Sequence, residues 1–476
     1  MRILFFVHTL GRTRHFKSVI AGLTERGHTV VLITAHEAAP EKSQRGSYSD
    51  PRIEIATCPT DRADEWAPLA EPLRRTRDRL RFFDPRYAGA GKLAERAVTH
   101  TPERWNQFVD RHPWIQRRWK LAQRGLGAAE AALPPDPHFL EFVRHQAPDL
   151  VLVTPLVEFG SYQTDYVKCA HRLGIPVAYL PFSWDNLTNR GLIRVFPDRA
   201  LVWNRHQQRE AVEMHGMPAD QVVITGAPRF DSFFRMKPSS PREEFCSRLS
   251  LDPARPLLLY VCSSGFVAPQ EVAFVRRWVE ALRGADAAWL RDCSVLVRPH
   301  PAYQEQWTAA DLSDLPGVAV WTQRSSLNAD RGLYDSLAHA TAVVGLNTSA
   351  MIEAAIVGRP VYTIAAAEFT GGQRGTLHFW YLLTANGGVV TMADSFAEHV
   401  RQLATAPDEQ AATLERSQGF LRDFVRPRGI DVPVGGVMAE EIERVGRLTK
   451  RPRRTAPWHY PIRWGLTAAM RATPRT

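Results

Sequence analysis

The chain has 476 residues, of which 44% are apolar and 23% charged, and its formal net charge is +10. This length exceeds what one hydrophobic core usually serves, so we expect two domains of an ordinary soluble, globular kind. Its apolar runs fall far short of the roughly 20 residues that span a bilayer, and its five scattered cysteines form no Cys-x-x-Cys pair, which excludes a membrane-spanning class and predicts a cytoplasmic protein without structural zinc.

Buried-type strands alternate with helices in the first half of the chain. Residues 2–7 are predicted to form a strand, 14–26 have helical periodicity that Gly27 ends, and 30–34 are predicted to form the next strand. This order is typical of a parallel sheet. The same pattern resumes with strands expected at 149–154, 177–180, 200–203 and 222–225, and with a helix expected at 162–173.

A basic, tryptophan-rich segment at 61–135 interrupts the first domain and is predicted to be a helical insertion, because it contains no strand-like run. Its basic residues include Arg74, Arg75, Arg77, Arg79, Arg81, Arg86, Arg111, Arg117, Arg118, Lys120 and Arg124, and its aromatic residues include Phe82, Phe83, Trp105, Trp114 and Trp119. The tail at 446–476 repeats the combination with Lys450, Arg451, Arg453, Arg454, Trp458, Tyr460 and Trp464.

Two interpretations of these basic segments stay open. Basic residues beside tryptophans suit an anionic membrane surface, here the inner face of the membrane, or an acceptor that carries phosphate. The alternative is a solvated helical face and a disordered tail. Nucleic acid is not an expected partner, because the sequence contains no recognised nucleic-acid module.

The second half of the chain repeats the alternation after a linker at 237–241. Its expected strands are 256–262, 294–298, 318–321, 342–345 and 360–364, with a helix at 270–282. We therefore predict an α/β protein with two Rossmann-like, doubly wound domains at 1–235 and 236–445. Ligands are expected in a cleft at the carboxyl ends of the two sheets.

A candidate phosphate cradle follows the strand that ends near Leu346. The run Asn347, Thr348, Ser349 is typical of a helix start, and Glu353 lies one turn inside that helix. Free backbone amides and hydroxyls at a helix start can bind phosphate, and the carboxylate of Glu353 can bind ribose hydroxyls. The alternative is that these residues only cap and stabilise the helix.

Two other strand ends in the second half supply further candidates. Arg298 and His300 lie on one face at the end of the strand 294–298, where they offer fixed charge and a titratable donor to a phosphate. Ser263, Ser264 and Gly265 end the strand 256–262, where amides or hydroxyls can also reach a diphosphate. Ordinary turns are the alternative in both places.

The stretch Glu-Ala-x-x-x-Gly-x-Pro-Val at 353–361, together with the two-domain alternation, resembles the GT-B glycosyltransferases. This resemblance implies a cleft between the domains, a sugar nucleotide bound by the second domain, and ribose held by Glu353. The pair His300-Pro301 followed by Thr348-Ser349 is similar to bacterial capsule enzymes and CDP-glycerol glycerophosphotransferases, in which the histidine and hydroxyls face the nucleotide phosphates. The turn at 226–231 is also similar to theirs.

Candidate acceptor-side groups occur in the first domain. Gly11 to His15 resembles a Gly-x-x-x-His region whose histidine is a catalytic base in many GT-B enzymes, and His8 competes for that role. In the polar run 183–191, Asp185 is a further candidate base. That run also contributes Asn186 and Arg190 as acceptor contacts, and the loop 373–378 contributes Gln373 and His378 as donor-sugar contacts. An Asx-rich turn is the alternative for 183–191.

The expected activity is transfer of a sugar from a UDP-, CDP-, CMP- or GDP-linked donor to a surface-polysaccharide or lipid-linked acceptor. No Asp-x-Asp triplet occurs, so a metal-independent reaction is expected, with no bound cofactor and with positive groups and amides stabilising the leaving phosphate. The alternatives are a CDP-glycerol-type glycerophosphotransferase, a UDP-GlcNAc 2-epimerase-like enzyme, and a non-catalytic component of capsule assembly.

Overall fold

The computed structural model describes residues 1–35, 48–308, 312, 314–321, 329–449 and 451–472. The chain forms two units: unit 1 contains residues 1–231 and 424–476, and unit 2 contains residues 232–423. Lys450, one of the basic residues of the tail, lies outside the described residues.

Unit 1 is built on a parallel sheet in which seven strands are described, in the order β3-β2-β1-β4-β5-β6-β7. The strands are β1 (Arg2–His8), β2 (Thr29–Thr34), β3 (Ile53–Thr57), β4 (Leu150–Val153), β5 (Val177–Tyr179), β6 (Arg199–Val202) and β7 (Val222–Ile224). Side chains alternate between two buried layers, so that Leu4 and Phe6 join one core while Ile3 and Phe5 join the other. Because both faces are covered, the central strands have continuous apolar runs rather than alternating patterns, as in residues 3–7 of β1 and in β4.

The helices of unit 1 cover both faces of this sheet and form the insertion. They are α1 (Lys17–Glu25), α2 (Ala67–Leu80), α3 (Gly91–Thr99), α4 (Glu103–Arg111), α5 (Pro113–Arg117), α6 (Trp119–Ala132), α7 (Pro137–Gln146), α8 (Gln163–Leu173), α9 (Asn186–Asn189) and α10 (Arg205–Glu213). A 3₁₀ segment, Leu10–Phe16, precedes α1, so the α-helix expected from residue 14 begins three residues later.

Unit 2 contains a second parallel sheet, in which six strands are described in the order β10-β9-β8-β11-β12-β13. The strands are β8 (Leu257–Val261), β9 (Ser294–Arg298), β10 (Val318–Val320), β11 (Ala342–Gly345), β12 (Val361–Ile364) and β13 (Val390–Ala393). The helices are α11 (Arg242–Ser247), α12 (Glu271–Arg283), α13 (Ala288–Asp292), α14 (Glu305–Thr308), α15 (Ala329–His339), α16 (Ala350–Ile356), α17 (Phe396–Ala404) and α18 (Gln410–Phe424). The predicted α/β class with two doubly wound domains is confirmed.

The expected end of the second domain at residue 445 is wrong. Helix α19 (Val434–Gly446) belongs to unit 1, where Val434, Met438 and Ile442 enter the core beside α1. Asp231 holds the start of this helix, because its carboxylate accepts from the amides of Val434 at 3.0 Å and Gly435 at 2.8 Å. The apolar side chains recur every four residues, which gives α19 one stripe to bury against the first sheet.

All the regular secondary structure of the segment 61–135 is helical. The prediction that its arginines form a basic surface is wrong for three of them. Arg74, Arg79 and Arg81 are buried, and their guanidinium groups are used inside unit 1. The exposed basic residues of the insertion are Arg86, Arg104, Arg111, Arg117, Arg118, Lys120 and Arg124. The tail also departs from the disordered alternative, because it forms helix α20 (His459–Ala472).

None of the described helices combines the length and the apolar character that crossing a membrane requires.

Candidate functional site

The turns after β8 and β11 meet in unit 2, where the order of the sheet reverses direction. Ser263 is buried, and its hydroxyl accepts from the backbone amide of Asn347 at 3.2 Å. The side-chain amide of Asn347 donates to the carbonyl of Gly372 at 2.9 Å. In open parallel sheets, ligands bind at this reversal, beyond the carboxyl ends of the strands. The structure therefore brings Ser263 and Asn347 together at that point, where they fix the shape of the two turns.

Glu271, at the start of α12, stabilises the turn after β8. Its buried carboxylate accepts from the amide of Ser263 at 2.9 Å and from the hydroxyl of Tyr260 at 3.0 Å. Burial raises the pKa of Glu271 to about 8, although these two hydrogen bonds lower it. Sequence patterns did not single out this residue, since an acidic residue in the first turn of a helix is commonplace.

Arg298, the last residue of β9, brings a guanidinium group to the same edge of the sheet. It donates to the carbonyl of Gly332 at 2.9 Å and to the hydroxyl of Ser336 at 3.1 Å, and it lies 4.2 Å from the ring centre of Trp321. Burial lowers the pKa of Arg298 to about 10, while the negative charge of Glu353 opposes that shift. Within the described part of the chain no carboxylate forms an ion pair with Arg298, so an anionic ligand would meet a poorly solvated positive charge.

Glu353 is buried on α16, one turn after the loop that ends β11. Ser349 occupies the N-cap position of that helix, but its hydroxyl makes no capping hydrogen bond. The hydroxyl of Thr348 contacts the amide of Ala350 at the long distance of 3.5 Å. Capping alone therefore accounts poorly for the two hydroxyls. Gly358 has φ +73°, as expected for the left-handed position that ends this helix.

His300 lies in the turn after β9, close to the turn after β8. Its Nδ1 atom accepts from the amide of Ala302 at 3.2 Å, which is the turn contact that the sequence left as an alternative. The ring of Tyr303 lies beside His300 and covers Gly265, since a Cβ atom on Gly265 would come within 2.5 Å of that ring. Gly265 thus contacts the His300 turn through Tyr303, whereas the carbonyl of Ser264 accepts from the amides of Val267 at 2.9 Å and Ala268 at 3.0 Å.

The loop after β12 contains Gln373 and His378, the two predicted donor-sugar contacts. Gln373 is fully buried, and its amide nitrogen donates to Leu346, Thr363 and Ile364 at 2.9–3.1 Å. Gln373 is therefore wrong as a donor-sugar contact, because its side chain fastens the loop to the strand ends. His378 is also buried in this loop.

His8 and Glu158 meet in unit 1 at the corresponding reversal of the first sheet, between β1 and β4. His8 has φ +67°, an uncommon backbone conformation for a residue other than glycine, and its Nδ1 atom lies 3.2 Å from the hydroxyl of Tyr162. Glu158 accepts from Arg12 at 2.9 Å and from Arg190 at 2.7 Å. Although burial raises the pKa of Glu158, the two arginines hold it below its ordinary value.

His15 lies among positive charges. Its Nδ1 atom is 3.1 Å from the guanidinium of Arg229, and its Nε2 atom is 3.5 Å from Arg14. Burial lowers the pKa of His15 well below its ordinary value, and Arg229, Arg14 and Arg12 act in the same direction. The imidazole of His15 is therefore held neutral, and its protonated form is disfavoured.

The run 183–191 is largely an Asx-rich turn, which was the alternative to a set of acceptor contacts. Asn186 is fully buried, and its side-chain oxygen accepts from the amides of Phe182 at 3.0 Å and Ser183 at 3.2 Å. Asn186 is therefore wrong as an acceptor contact. Asp185 is half-buried and accepts from the side chain of Asn189 at 2.5 Å.

A pocket of about 470 Å³ opens beside His8 and Glu158, with α2 of the insertion as one wall. Its ionisable side chains are His8, Asp61, Arg62, Glu71, Arg74, Arg75, Glu158 and Asp165. Many of these charges are already paired: Arg74 and Arg62 with Asp165, and Arg75 with Glu71. The pocket is thus polar without a large excess of positive charge.

The insertion also positions the residues of this site. Asp78 on α2 accepts from the amides of Gly160 at 2.9 Å and Leu192 at 2.8 Å, and Arg81 donates to the carbonyl of Arg190 at 2.7 Å. Gly160 and Leu192 lie in the loops that contain Glu158 and Arg190. Helix α2 therefore fixes both loops at the edge of the first sheet.

No family model matches the chain, and no curated protein matches it. Solved structures do match it. A UDP-GlcNAc 2-epimerase from Methanocaldococcus jannaschii has 10% identity and a TM-score of 0.54, over 93% of this chain and 100% of its own. The enzyme of the same name from Neisseria meningitidis, bound to UDP-GlcNAc, has 11% identity and a TM-score of 0.52, over 94% and 99%. A glycosyltransferase from Rickettsia africae has 10% identity and a TM-score of 0.52, over 94% and 98%.

The chain has the GT-B fold. At these identities the likeness establishes the architecture alone, because proteins that share a fold can catalyse different reactions.

Several residues of these sites were not predicted from the sequence. Glu158, Arg12 and Tyr162 follow β1 and β4, so their position just beyond strands of a predicted parallel sheet was the available signal. Arg229 lies within the turn at 226–231, and no sequence pattern predicted its contact with His15.

We expect Glu271 to make the stability of unit 2 depend on pH. Its folded-state pKa of about 8 lies above the ordinary value of 4.5, so its contribution is complete below about 4.5 and is lost as pH rises through about 8. Glu271→Gln should remove this loss, which is on the order of 1.4 kcal/mol per pKa unit. Urea denaturation at pH 5 and pH 8.5 measures it, with the exposed Glu280→Gln as control. Equal pH dependence in both variants would contradict the assignment.

Proposed function

We propose that this chain transfers a sugar from a nucleotide-activated donor to an acceptor hydroxyl without a metal ion. The observation that carries the proposal is the partly buried guanidinium of Arg298, which lies near the reversal point of the second sheet and interacts electrostatically with the buried Glu353. A phosphate would gain a poorly solvated guanidinium, and ribose hydroxyls would gain a carboxylate acceptor. Ser263 and Asn347 hold the turns that frame this place.

In the proposed reaction the acceptor oxygen forms a bond to the anomeric carbon as the bond to the donor phosphate breaks. The phosphate leaves with the electron pair, and the positive charge of Arg298 stabilises it. The hydroxyls of Thr348 and Ser349 and the ring of His300 are proposed as further phosphate contacts. UDP-, CDP-, CMP- and GDP-linked donors all fit this description, because it uses only phosphate and ribose.

We propose His8 as the base that removes the acceptor proton. It lines the pocket of unit 1, and the carboxylate of Glu158 interacts with it electrostatically, which favours the imidazolium that the reaction produces. His15 is a weaker candidate because the surrounding arginines disfavour its protonated form. Asp185 is already engaged by Asn189. Arg190 is proposed to orient the acceptor through Glu158.

A 2-epimerase-like reaction on UDP-GlcNAc is the second candidate. The observation that favours it is the presence of two further acidic residues at the unit 1 pocket, Asp61 and Glu158, which can supply acid and base groups. Incubation with radiolabelled UDP-, CDP-, CMP- and GDP-sugars and with CDP-glycerol distinguishes the reactions. A labelled glycan or lipid-linked product supports transfer, an epimerised donor supports the second candidate, and no change with any donor contradicts both.

We expect Glu353→Gln to weaken nucleotide binding at least ~10-fold, because a hydrogen bond to a charged group contributes roughly 1.5–3 kcal/mol. Calorimetric titration with UDP, CDP, CMP and GDP identifies the preferred nucleotide and measures the loss. The 2′,3′-dideoxy form of that nucleotide is the control, since it lacks the hydroxyls that Glu353 is proposed to bind. An equal loss for the nucleotide and its dideoxy form would remove Glu353 from the ribose role.

A further inference from the structure

Helix α20 presents aromatic side chains to solvent on its outer face. Trp464 is 79% exposed and Tyr460 is 54% exposed, and Trp458, just before the helix, is 50% exposed. Between residues 460 and 471, the exposed positions are Tyr460, Pro461, Trp464, Gly465, Ala468, Ala469 and Arg471. Over that stretch the exposed face therefore contains one charged residue and is otherwise apolar or aromatic.

The opposite face of α20 is already packed, which fixes the orientation of the helix. Leu466 and Met470 pack against a cluster of the insertion that consists of Trp66, Ala70, Leu73, Ala129 and Leu133. The guanidinium of Arg463 donates to the carbonyl of Ala132 at 2.5 Å. Turning Trp464 inward would break these contacts, so its exposure is a property of the packed unit.

The sequence that contains this aromatic face is strongly basic. The sequence from 447 to 476 contains eight lysines and arginines and no aspartate or glutamate. The backbone of its basic run is anchored on α8, because the amide of Arg453 donates to the carbonyl of His171 at 2.9 Å. Arg451 and Arg454 are exposed on this anchored segment.

The neighbouring insertion continues the same surface chemistry. Helix α6 packs against α20, and its exposed residues include Lys120, Leu121 and Arg124. Trp114 on α5 is 52% exposed and is followed by the exposed Arg117. Exposed aromatic and basic side chains thus recur on adjacent helices of unit 1.

We propose that α20 and the basic run 451–454 dock on an anionic lipid bilayer, with the helix lying in the interface. Tryptophan and tyrosine prefer the boundary between headgroups and acyl chains, and arginines next to it attract acidic lipids. Nucleic acid would match the charge but would leave the apolar face of Pro461, Trp464 and Ala468 without a function. The proposal does not depend on the reaction assigned above, so its failure leaves that assignment untouched.

Cosedimentation of the purified full chain with vesicles tests the proposal. Vesicles of phosphatidylcholine with one quarter phosphatidylglycerol should bind the protein, and pure phosphatidylcholine vesicles should bind it far more weakly. Binding should fall as NaCl rises from about 0.1 to 0.5 M, because salt screens the charges. Arg451→Ala/Arg454→Ala should lower the partition coefficient about 30-fold, at roughly 1 kcal/mol per arginine.

Removing the aromatic side chains tests the apolar part separately. Tyr460→Ala/Trp464→Ala should lower the partition coefficient at least ~10-fold. Leu414→Ala is the matched control, because Leu414 is 49% exposed in unit 2 and should leave binding unchanged. Equal binding to neutral and anionic vesicles, no binding to either, unchanged binding by the variants, or dimerisation through this face without vesicle binding would each overturn the proposal.

Discussion

Arg298→Met is expected to weaken the binding of the preferred nucleoside diphosphate about 100-fold, which is the scale of losing one preorganised charged donor. Arg298 is partly buried at the end of β9, and desolvation of its guanidinium lowers its pKa to about 10. Its hydrogen bonds go to the neutral groups of Gly332 and Ser336. Glu353 and Asp335 act on its charge only electrostatically, without an ion pair among the described residues, and phosphate oxygens are suitable anions for a guanidinium.

The corresponding nucleoside without phosphates is the ligand control for this variant. Its affinity should stay nearly unchanged in Arg298→Met, since the lost charge is proposed to act on phosphate alone. Ser336→Ala is the matched structural control, because it removes one hydrogen bond to Arg298 and leaves the charge in place. If Arg298→Met lowered the melting temperature while the nucleoside diphosphate still bound normally, Arg298 would have only a structural role.

Much of the fold was predictable from sequence because buried parallel strands are short apolar runs that end at glycine, proline and capping residues. The strand β11, the helix α16 and Gly358 follow each other as their residue types predict. Strands β3 and β13 were not predicted, since half of their side chains or more are only partly buried or exposed and their apolar runs are weak. The helix α19 was assigned to the wrong domain because its apolar stripe does not show which sheet it covers.

The candidate sites were partly predictable for a similar reason. Position at a strand end was enough to select Ser263, Arg298 and Asn347, which the fold does bring to one edge. It was not enough to distinguish a residue facing a ligand from one that fastens a loop. Gln373 and Asn186 are polar residues in the right places, but their side chains are buried in hydrogen bonds with backbone groups. Only tertiary contacts distinguish these two cases.

Arg74→Met is expected to destabilise unit 1 by about 3–5 kcal/mol, which is typical when one partner of a buried ion cluster is removed. Arg74 on α2 donates to Glu130 at 3.0 and 3.2 Å and to Asp165 at 2.6 and 2.9 Å. Lys168 pairs with Glu130 at 2.5 Å, so the cluster joins the insertion to the helix α8 of the sheet layer. Without Arg74, two buried carboxylates would share too little positive charge.

The same cluster determines how unit 1 responds to acid. Although burial raises the pKa values of Glu130 and Asp165, the charge of Arg74 and its neighbours holds both below their ordinary values. Their stabilising contribution is therefore complete above about pH 5 and is lost only as pH falls through the depressed values. In Arg74→Met the acid transition should move to higher pH, as far-UV circular dichroism would show.

Arg75→Met is the matched control for both measurements. Arg75 is adjacent in sequence, but its ion pair with Glu71 is partly exposed, so its loss should cost no more than about 1 kcal/mol. Because α2 also holds the loops that contain Glu158 and Arg190, Arg74→Met should additionally increase hydrogen exchange at Gly160 and Leu192, whose amides bind Asp78. Equal unfolding free energies for the Arg74 and Arg75 variants would show that the cluster does not join the insertion to the sheet.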